Sequence, residues 1–474
     1  MSTFRPVFLY TDLLLFMLVC CTLIFILLAA RRDYYRSAWH QIRGRRLPML
    51  CAGVILLYAA IALLDSVHFQ VRAIDRAHGG PQVDGAGQPV YAPEVLSLLD
   101  LACSGLRSRG EKTFSAPFAV HQFTKELIEE ADGTLGRDYP RLQYGGRHLV
   151  DPAQRQADLV SVVWAAVIAG IGAGVFVMIL CLAVAGLRQR LRGHPQPLLA
   201  ARKRLGTALF IGAVTLVTVA AASLSTDYHV FGTDQVGQDV LYRALKGCRI
   251  GLVIGSLTTL IATPMAILLG IAAGYFGGWV DDVVQYVYTT LSSIPEILLI
   301  AAAMLIVSTR VSAGQTTLDA DIRLVWLCVV MGIVGWTGLC RLVRGETLKL
   351  REHEYVQAAE ALGVSGIKTM LRHILPNVTH IILISVLLRF SGLVLTEAIL
   401  AYVGIGVHSS MDSWGKMING ARLDIARDPI VWWNLLAAFL FMFGLVLPAN
   451  IFGDAVRDAL DPRLKSAAGE GDER

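Results

Sequence analysis

The distribution of charge along the chain constrains this sequence more than any other feature. Nine apolar blocks, 7–30, 47–65, 159–187, 205–224, 247–274, 283–307, 323–340, 377–400 and 431–453, hold 210 of the 474 residues. Even spreading of the 79 Asp, Glu, Lys and Arg would place about 35 in them, yet only Asp12, Asp65, Arg249, Glu296, Arg323, Arg389 and Glu397 occur there. Blocks of about 20 residues that shut out charge are long enough to cross a ~30 Å hydrocarbon core. In lipid a spanning backbone must satisfy its hydrogen bonds within the helix or a closed barrel. The sequence therefore predicts an all-α polytopic membrane protein with about nine transmembrane helices and one small external domain. The composition agrees: 55% of residues are hydrophobic and 17% charged, against roughly 45–50% and 25% in soluble domains.

Orientation follows from the basic residues, since the net charge of +5 is too small to point to a nucleic-acid partner. Residues 31–46 carry six Arg and one Asp, and residues 188–204 carry six Lys or Arg and no acid. The positive-inside rule places both in the cytoplasm. The loop 341–376 and the chain from 454 then lie inside. The N-terminus and segments 66–158, 225–246, 308–322 and 401–430 lie outside. The eight cysteines fall mostly inside apolar blocks and show neither a disulfide framework nor metal-ligand spacing. Residues 7–30 read as a retained helix rather than a signal peptide, because the arginines follow the apolar stretch.

The 93 residues from 66 to 158 have 12 Asp or Glu and 10 Lys or Arg, which suits a small folded external domain with an amphipathic helix near Phe118–Ala131. Residues 466–474 are polar and expected to be disordered. No phosphate-cradling GxxxxGK[ST] loop occurs, so the chain has no ATP-hydrolysing element of its own. His353-Glu354-Tyr355-Val356-Gln357 lacks the second histidine of a zinc helix. Gly170 to Gly174 and Gly270 to Gly274 have the small-xxx-small spacing that lets membrane helices pack closely. The expectation is no catalytic residue and no metal site.

The loop 341–376 is the most informative segment. A short Ala-rich helix from Glu354 stops at Gly363, and an amphipathic stretch with Ile367, Met370, Leu371 and Ile374 leads to Leu375-Pro376-Asn377 before the next span. From the residues alone this is either a docking helix or an ordinary loop on the membrane surface. The pattern Glu354-Tyr355-Val-x-Ala358-Ala359-x-x-Leu362-Gly363, with Pro376 thirteen residues after the glycine, resembles the EAA loop of ATP-binding-cassette importer permeases. Gln357 stands where that motif has its first acid. Phe231-Gly232-Thr233-Asp234-Gln235-Val-Gly237-Gln-Asp239 resembles the external signature of the dipeptide, oligopeptide and nickel permease family, C-type subunit, with Gln238 in place of the usual Arg. Gly274 to Asp281, Ser293-Ile294-Pro295, Thr396-Glu397-Ala398 to Gly406, Ser413-Trp414-Gly415 and Gly453 to Arg463 resemble that family in order, over roughly residues 230–465.

The resemblance implies a type I importer permease core at 225–465. It implies ATPase coupling through Glu354, Tyr355, Ala358, Ala359, Leu362, Gly363, Leu375 and Pro376, and an external gate signature at Gly232, Thr233, Asp234, Gly237 and Asp239. Glu397, Arg389 and Glu296 are candidate pore or gate residues, since ionisable groups within spans tend to face the bundle interior or a water-filled path. The implied partners are a B-type permease, two ATPase subunits that bind ATP and Mg, and a periplasmic or lipid-anchored substrate-binding protein, in a bacterial inner membrane. No cofactor is expected in this chain. The family's first helix is either 47–65 or 205–224. The first choice makes 66–158 a periplasmic insertion and 159–224 an added transmembrane hairpin; 1–65 then holds a leading helix and the family's first. The competing functions are an ion-gradient-driven secondary transporter and a membrane-anchored sensor or assembly factor that uses the external domain.

Overall fold

The computed structural model describes residues 4–31, 33–73, 90–129, 135–149, 151, 154–192, 198–310 and 317–460. In chain order the elements are β1 (Phe4–Val7), α1 (Tyr10–Ala29), α2 (Asp33–Gly44), α3 (Arg46–Asp65), β2 (His68–Val71), β3 (Leu96–Ser97), α4 (Leu98–Ala102), α5 (Ser104–Ser108), β4 (Glu126–Glu129), β5 (Leu135–Asp138), α6 (Arg155–Arg192) and α7 (Leu198–Asp227). There follow α8 (Val240–Phe276), α9 (Gly278–Ser292), α10 (Glu296–Arg310), α11 (Thr317–Gly335), α12 (Thr337–Arg351), α13 (Glu354–Ala361), α14 (Gly366–Thr369), α15 (Leu375–Tyr402), α16 (Trp414–Ile425) and α17 (Trp433–Leu460).

Among the described residues eight helices are long and apolar enough to cross a membrane. The remaining apolar block, 283–307, falls on two helices, α9 and α10, bent by 86° at a short break. That block is therefore divided between two helices rather than formed by one. The break falls at Pro295, which has no N–H to donate and pushes the preceding residue out of helical geometry. The Ser293 hydroxyl returns to the Thr290 carbonyl at 2.7 Å, and α10 restarts as Leu298 N–H donates to Pro295 O at 3.0 Å.

The Ile367–Ile374 stretch, expected to stand apart from the next span, is continuous with it, from Gly366 to Tyr402. Pro376 would leave the carbonyl four residues back without a donor. A π-helical turn at Met370–Ile374 widens the helix there, and Asn377 Nδ2 donates to the His373 carbonyl at 2.7 Å.

The chain forms two compact units. The first comprises residues 1–98, 247–419 and 442–474. Its core packs Ile254, Leu324, Leu327, Met331 and Leu400, all fully buried, between α8, α11 and α15. A second cluster joins Cys340 and Val343 of α12 to Ala266 and Ala273 of α8 and to Val378 of α15. Close approach there depends on Gly270 and Gly274, where a Cβ would come within 2.8 Å of Cys340 O and 2.6 Å of Thr347 Cβ. The amphipathic α2 lays Ala38 and Ile42 on Val456 and Leu460 of α17, and Arg45 pairs with Asp458 at 2.9 Å. An antiparallel sheet β1-β2-β3 pairs Phe4 with Val71 and His68 with Ser97. It puts the start of α1 beside the end of α3.

The second unit comprises residues 99–246 and 420–441. Its α6 and α7 form an antiparallel hairpin in which Gly174 meets the Gly212 backbone and Gly170 meets Leu216. The expected helix near Phe118–Ala131 is absent from the described residues of that stretch. Phe118 has a φ of 55°, Gln122 N–H donates to Pro140 O and Leu142 N–H to Val120 O, and β4 pairs with β5 in an antiparallel hairpin. Long-range pairing has overridden the helical period that Phe118, Phe123, Leu127 and Ile128 suggest. Residues 461–474, which include Asp461-Pro462-Arg463 and the polar tail, lie outside the described residues.

Candidate functional site

The cytoplasmic loop brings the two halves of its motif together. His353, in extended geometry, precedes α13, whose Val356 is fully buried and Ala359 nearly so, while Glu354, Tyr355, Ala358 and Leu362 face outward. The helix ends in a Schellman motif: Val364 N–H donates to Ala359 O at 3.0 Å, and Gly363 N–H to Glu360 O at 2.9 Å. Gly363 sits at φ 79°, the left-handed region that favours glycine, and no atom lies within 4 Å of where its Cβ would be. Its requirement is backbone geometry, not space. Asn377 Nδ2 donates to the Tyr355 hydroxyl at 3.1 Å, and the Tyr355 ring stacks on His353 at 5.7 Å. Leu375 is half-buried and Pro376 exposed at the start of α15. Apolar side chains stand open on this loop among its charged ones: Leu362 is 84% exposed, and Ile367 and Leu371 are exposed as well.

Two anchors of this loop were not identified from sequence. Val356 was read as part of a motif rather than as the residue that seats the helix. Arg344 of α12 grips Asp281 of α9 with both its Nε and its Nη2, the latter at 2.6 Å. A bidentate Arg–carboxylate pair fixes direction as well as distance.

The external signature residues are built into the second unit, and Thr233, Asp234 and Asp239 are buried. Asp234 Oδ1 accepts from Val236 N–H at 2.9 Å and Gln238 N–H at 2.8 Å, an Asx turn. Asp239 Oδ1 accepts from Leu241 N–H at 2.9 Å and caps α8, while its Oδ2 lies 2.7 Å from His229 Nδ1. The Thr233 hydroxyl donates to Thr113 O at 2.8 Å and accepts from Ser115 N–H at 2.7 Å. Trp433 Nε1 donates to the Thr233 carbonyl. A Cβ on Gly237 would run into the Glu111 carbonyl. The Glu111 carboxylate in turn accepts from Gln143 N–H at 2.9 Å and Tyr144 N–H at 2.8 Å. The segment 111–118 thus lies over the Gly232–Asp239 loop.

His229 sits between two carboxylates, 3.5 Å from Glu111 and 2.7 Å from Asp239. Burial alone would lower its pKa, but the two acids outweigh burial and raise it to about 9. Burial would push the Glu111 carboxyl up, yet His229 and the three backbone N–H donors at 143–145 hold it below its ordinary value.

The charged residues within spans do not form one cluster. Arg389 Nη2 lies 3.4 Å from Glu296 Oε1, and Glu296, expected deep inside a span, is the first residue of α10 at the broken helix. Glu397 is buried near the end of α15 against Ser413 and the Gly415 backbone. A third group went unrecognised in the sequence. Arg249 Nη2 donates to Asp12 Oδ1 at 2.6 Å and to the Thr11 hydroxyl at 2.8 Å. That hydroxyl bonds Asp321, and His68 Nδ1 reaches Asp12 Oδ2 at 2.7 Å. Two opposite charges in separate apolar blocks, Asp12 and Arg249, were the available signal.

These features define a multi-span helical membrane protein whose loop between α12 and α15 is structured and carries exposed apolar side chains. The chain matches the family described as binding-protein-dependent transport system inner membrane component over residues 266–466. It is 33% identical over 245 residues to the oligopeptide transport system permease protein OppC of Haemophilus influenzae, covering 52% of this chain and 74% of that one. It is 30% identical over 237 residues to the dipeptide transport system permease protein DppC of Bacillus subtilis, covering 50% and 69%. Identity to the glutathione transport system permease protein GsiD of Pectobacterium atrosepticum is 34% over 238 residues, covering 50% and 74%. The chain belongs to this family of ATP-binding-cassette importer permeases, multi-pass subunits of the bacterial inner membrane.

Proposed function

We propose that this chain is the C-type permease of a peptide importer and carries peptides or related small solutes inward with ATP hydrolysed by partner subunits. The carrying observation is the capped helix Glu354–Ala361: its Val356 and Ala359 are anchored inward, and Tyr355, Ala358 and Leu362 are presented outward. The names of the similar permeases, for oligopeptides, dipeptides and glutathione, support peptide cargo.

In this reading one of two ATPase subunits, which bind ATP and Mg, receives the outward face of α13 in a cleft. A B-type permease completes the pathway, and a binding protein delivers cargo from outside. Closure of the ATPases pushes α13, and Leu375 and Pro376 pass the movement into α15. The residues Gly232, Thr233, Asp234, Gly237 and Asp239 hold the external loop that the inserted segment covers. Glu397, Arg389 and Glu296 lie along the moving spans.

The test is reconstitution of the full complex in proteoliposomes. Ala359→Asp and Gly363→Asp should leave the protein inserted and ATP hydrolysis intact while peptide uptake is lost. Normal uptake by either variant would overturn the coupling role.

A further inference from the structure

Three helices of the first unit line a partly open cavity of about 210 Å³. Each contributes residues one turn apart: Thr259 and Thr263 from α8, Gly338 and Leu342 from α12, Ser385 and Arg389 from α15. Arg389 lies 14 residues from the start of α15 and 13 from its end, so its Cα is about 20 Å from either terminus at 1.5 Å per residue. A guanidinium at the middle of a span is costly and is kept where it faces a polar path or a partner.

The partner it has is a poor one. A guanidinium offers five N–H donors, and among the described residues the only acceptor of Arg389 is Glu296 Oε1 at 3.4 Å. Charge-assisted pairs ordinarily close to about 2.7–2.9 Å. Glu296 does not depend on it either: its side chain is 50% exposed, and as the first residue of α10 it sits at the positive end of that helix. Gly335 keeps the space open, because a Cβ there would fall 3.1 Å from Glu296 Oε1 and 3.2 Å from Arg389 Cζ. The result is a cation with unused donors at the wall of a mostly apolar cavity in which Thr259, Thr263 and Ser385 are the hydroxyl-bearing residues. At about 30 Å³ per water the cavity has room for about seven waters. That volume suits one end of a small organic anion rather than a whole peptide.

Resting on the reading of this chain as a peptide permease, we propose that Arg389 receives the carboxylate of the cargo at mid-membrane. The guanidinium fork takes both carboxylate oxygens, and the Thr263 and Ser385 hydroxyls lie in the same cavity wall. The carboxylate is supplied by the peptide C-terminus or by an acidic side chain.

The test measures equilibrium binding to the detergent-solubilised importer complex without its binding protein, using radiolabelled trialanine, trialanine amide and an amidated Ala-Glu-Ala. The complex should hold trialanine about tenfold more tightly than its amide. R389Q should abolish that preference, and R389K, which keeps the charge but not the fork, should retain part of it. Recovery of tight binding by amidated Ala-Glu-Ala assigns the carboxylate to side chains as well as C-termini; no recovery assigns it to C-termini alone. Equal binding of acid and amide by the unaltered complex, or an unchanged preference in R389Q, would overturn the site. Uptake of trialanine by proteoliposomes of the complete system is scored separately. Uptake without acid preference removes the site and leaves the permease reading standing, whereas absence of peptide uptake removes the reading and the site together.

Discussion

The Tyr355 hydroxyl accepts a hydrogen bond from Asn377 Nδ2 at 3.1 Å across 22 residues of chain. This single bond links α13 to the first turn of a membrane span.

Removing that link with Tyr355→Phe or Asn377→Ala should cost little stability, about 0.5–1.5 kcal/mol at most, because both groups are exposed. The expected change is in the ratio of solute imported to ATP consumed, which should fall severalfold. The double variant should be no worse than the more severe single one, as for two partners of one interaction. Additive losses in reconstituted vesicles would show that the two residues act separately.

Arg249 is buried with Asp12 and Asp321 around it. Arg249→Met leaves two carboxylates without their cation and should destabilise the first unit by about 3–5 kcal/mol. Combining it with Asp12→Leu should restore part of the loss. Thermal unfolding of the purified protein in detergent reads both, and a single variant as stable as the parent would refute the network's role.

Gly237→Ala must place a methyl group against the Glu111 carbonyl at φ 79°, where residues other than glycine are strained. The cover over the signature loop should loosen, and protease should cut between residues 99 and 158 markedly faster than in the parent. An unchanged digestion pattern would rule out the packing argument.

The part of the second unit around His229 and Glu111, outside its two membrane helices, should also have a defined pH window. The pKa of His229 is raised from 6.5 to about 9, so its stabilising contribution is complete below about pH 6.5 and is lost as pH rises through 9. Glu111 is lowered from 4.5, so its contribution is present above that value and is lost on acidification. Protease resistance of this part should therefore decline between pH 7 and 10, and His229→Gln should flatten that limb. A decline of the same shape in the variant would assign it to another group.

Much of the fold was legible because lipid imposes a rule that a linear sequence obeys visibly: charge is excluded from each span. The same rule misled at Pro295, since a broken span and a straight one have equal composition and only backbone hydrogen bonding separates them. The motif from Glu354 to Gly363 could be read because a helix and its cap are local. Its seating through Val356, and the clasp between Arg344 and Asp281, depend on residues distant in sequence. The Asp12–Arg249–Asp321 network and the β-hairpin at 126–138 escaped for the same reason: long-range partners leave no period.

From Gly366 to Tyr402 the chain is one helix of 37 residues, about 55 Å long at 1.5 Å per residue. Mechanically it is a push rod. In the proposed coupling, a thrust applied at Gly366 would pass along this helix by Arg389 to Glu397. The widened turn at Met370–Ile374 is where that rod departs from the ordinary pitch, so in the proposed coupling these five residues would set how much of the stroke reaches mid-membrane.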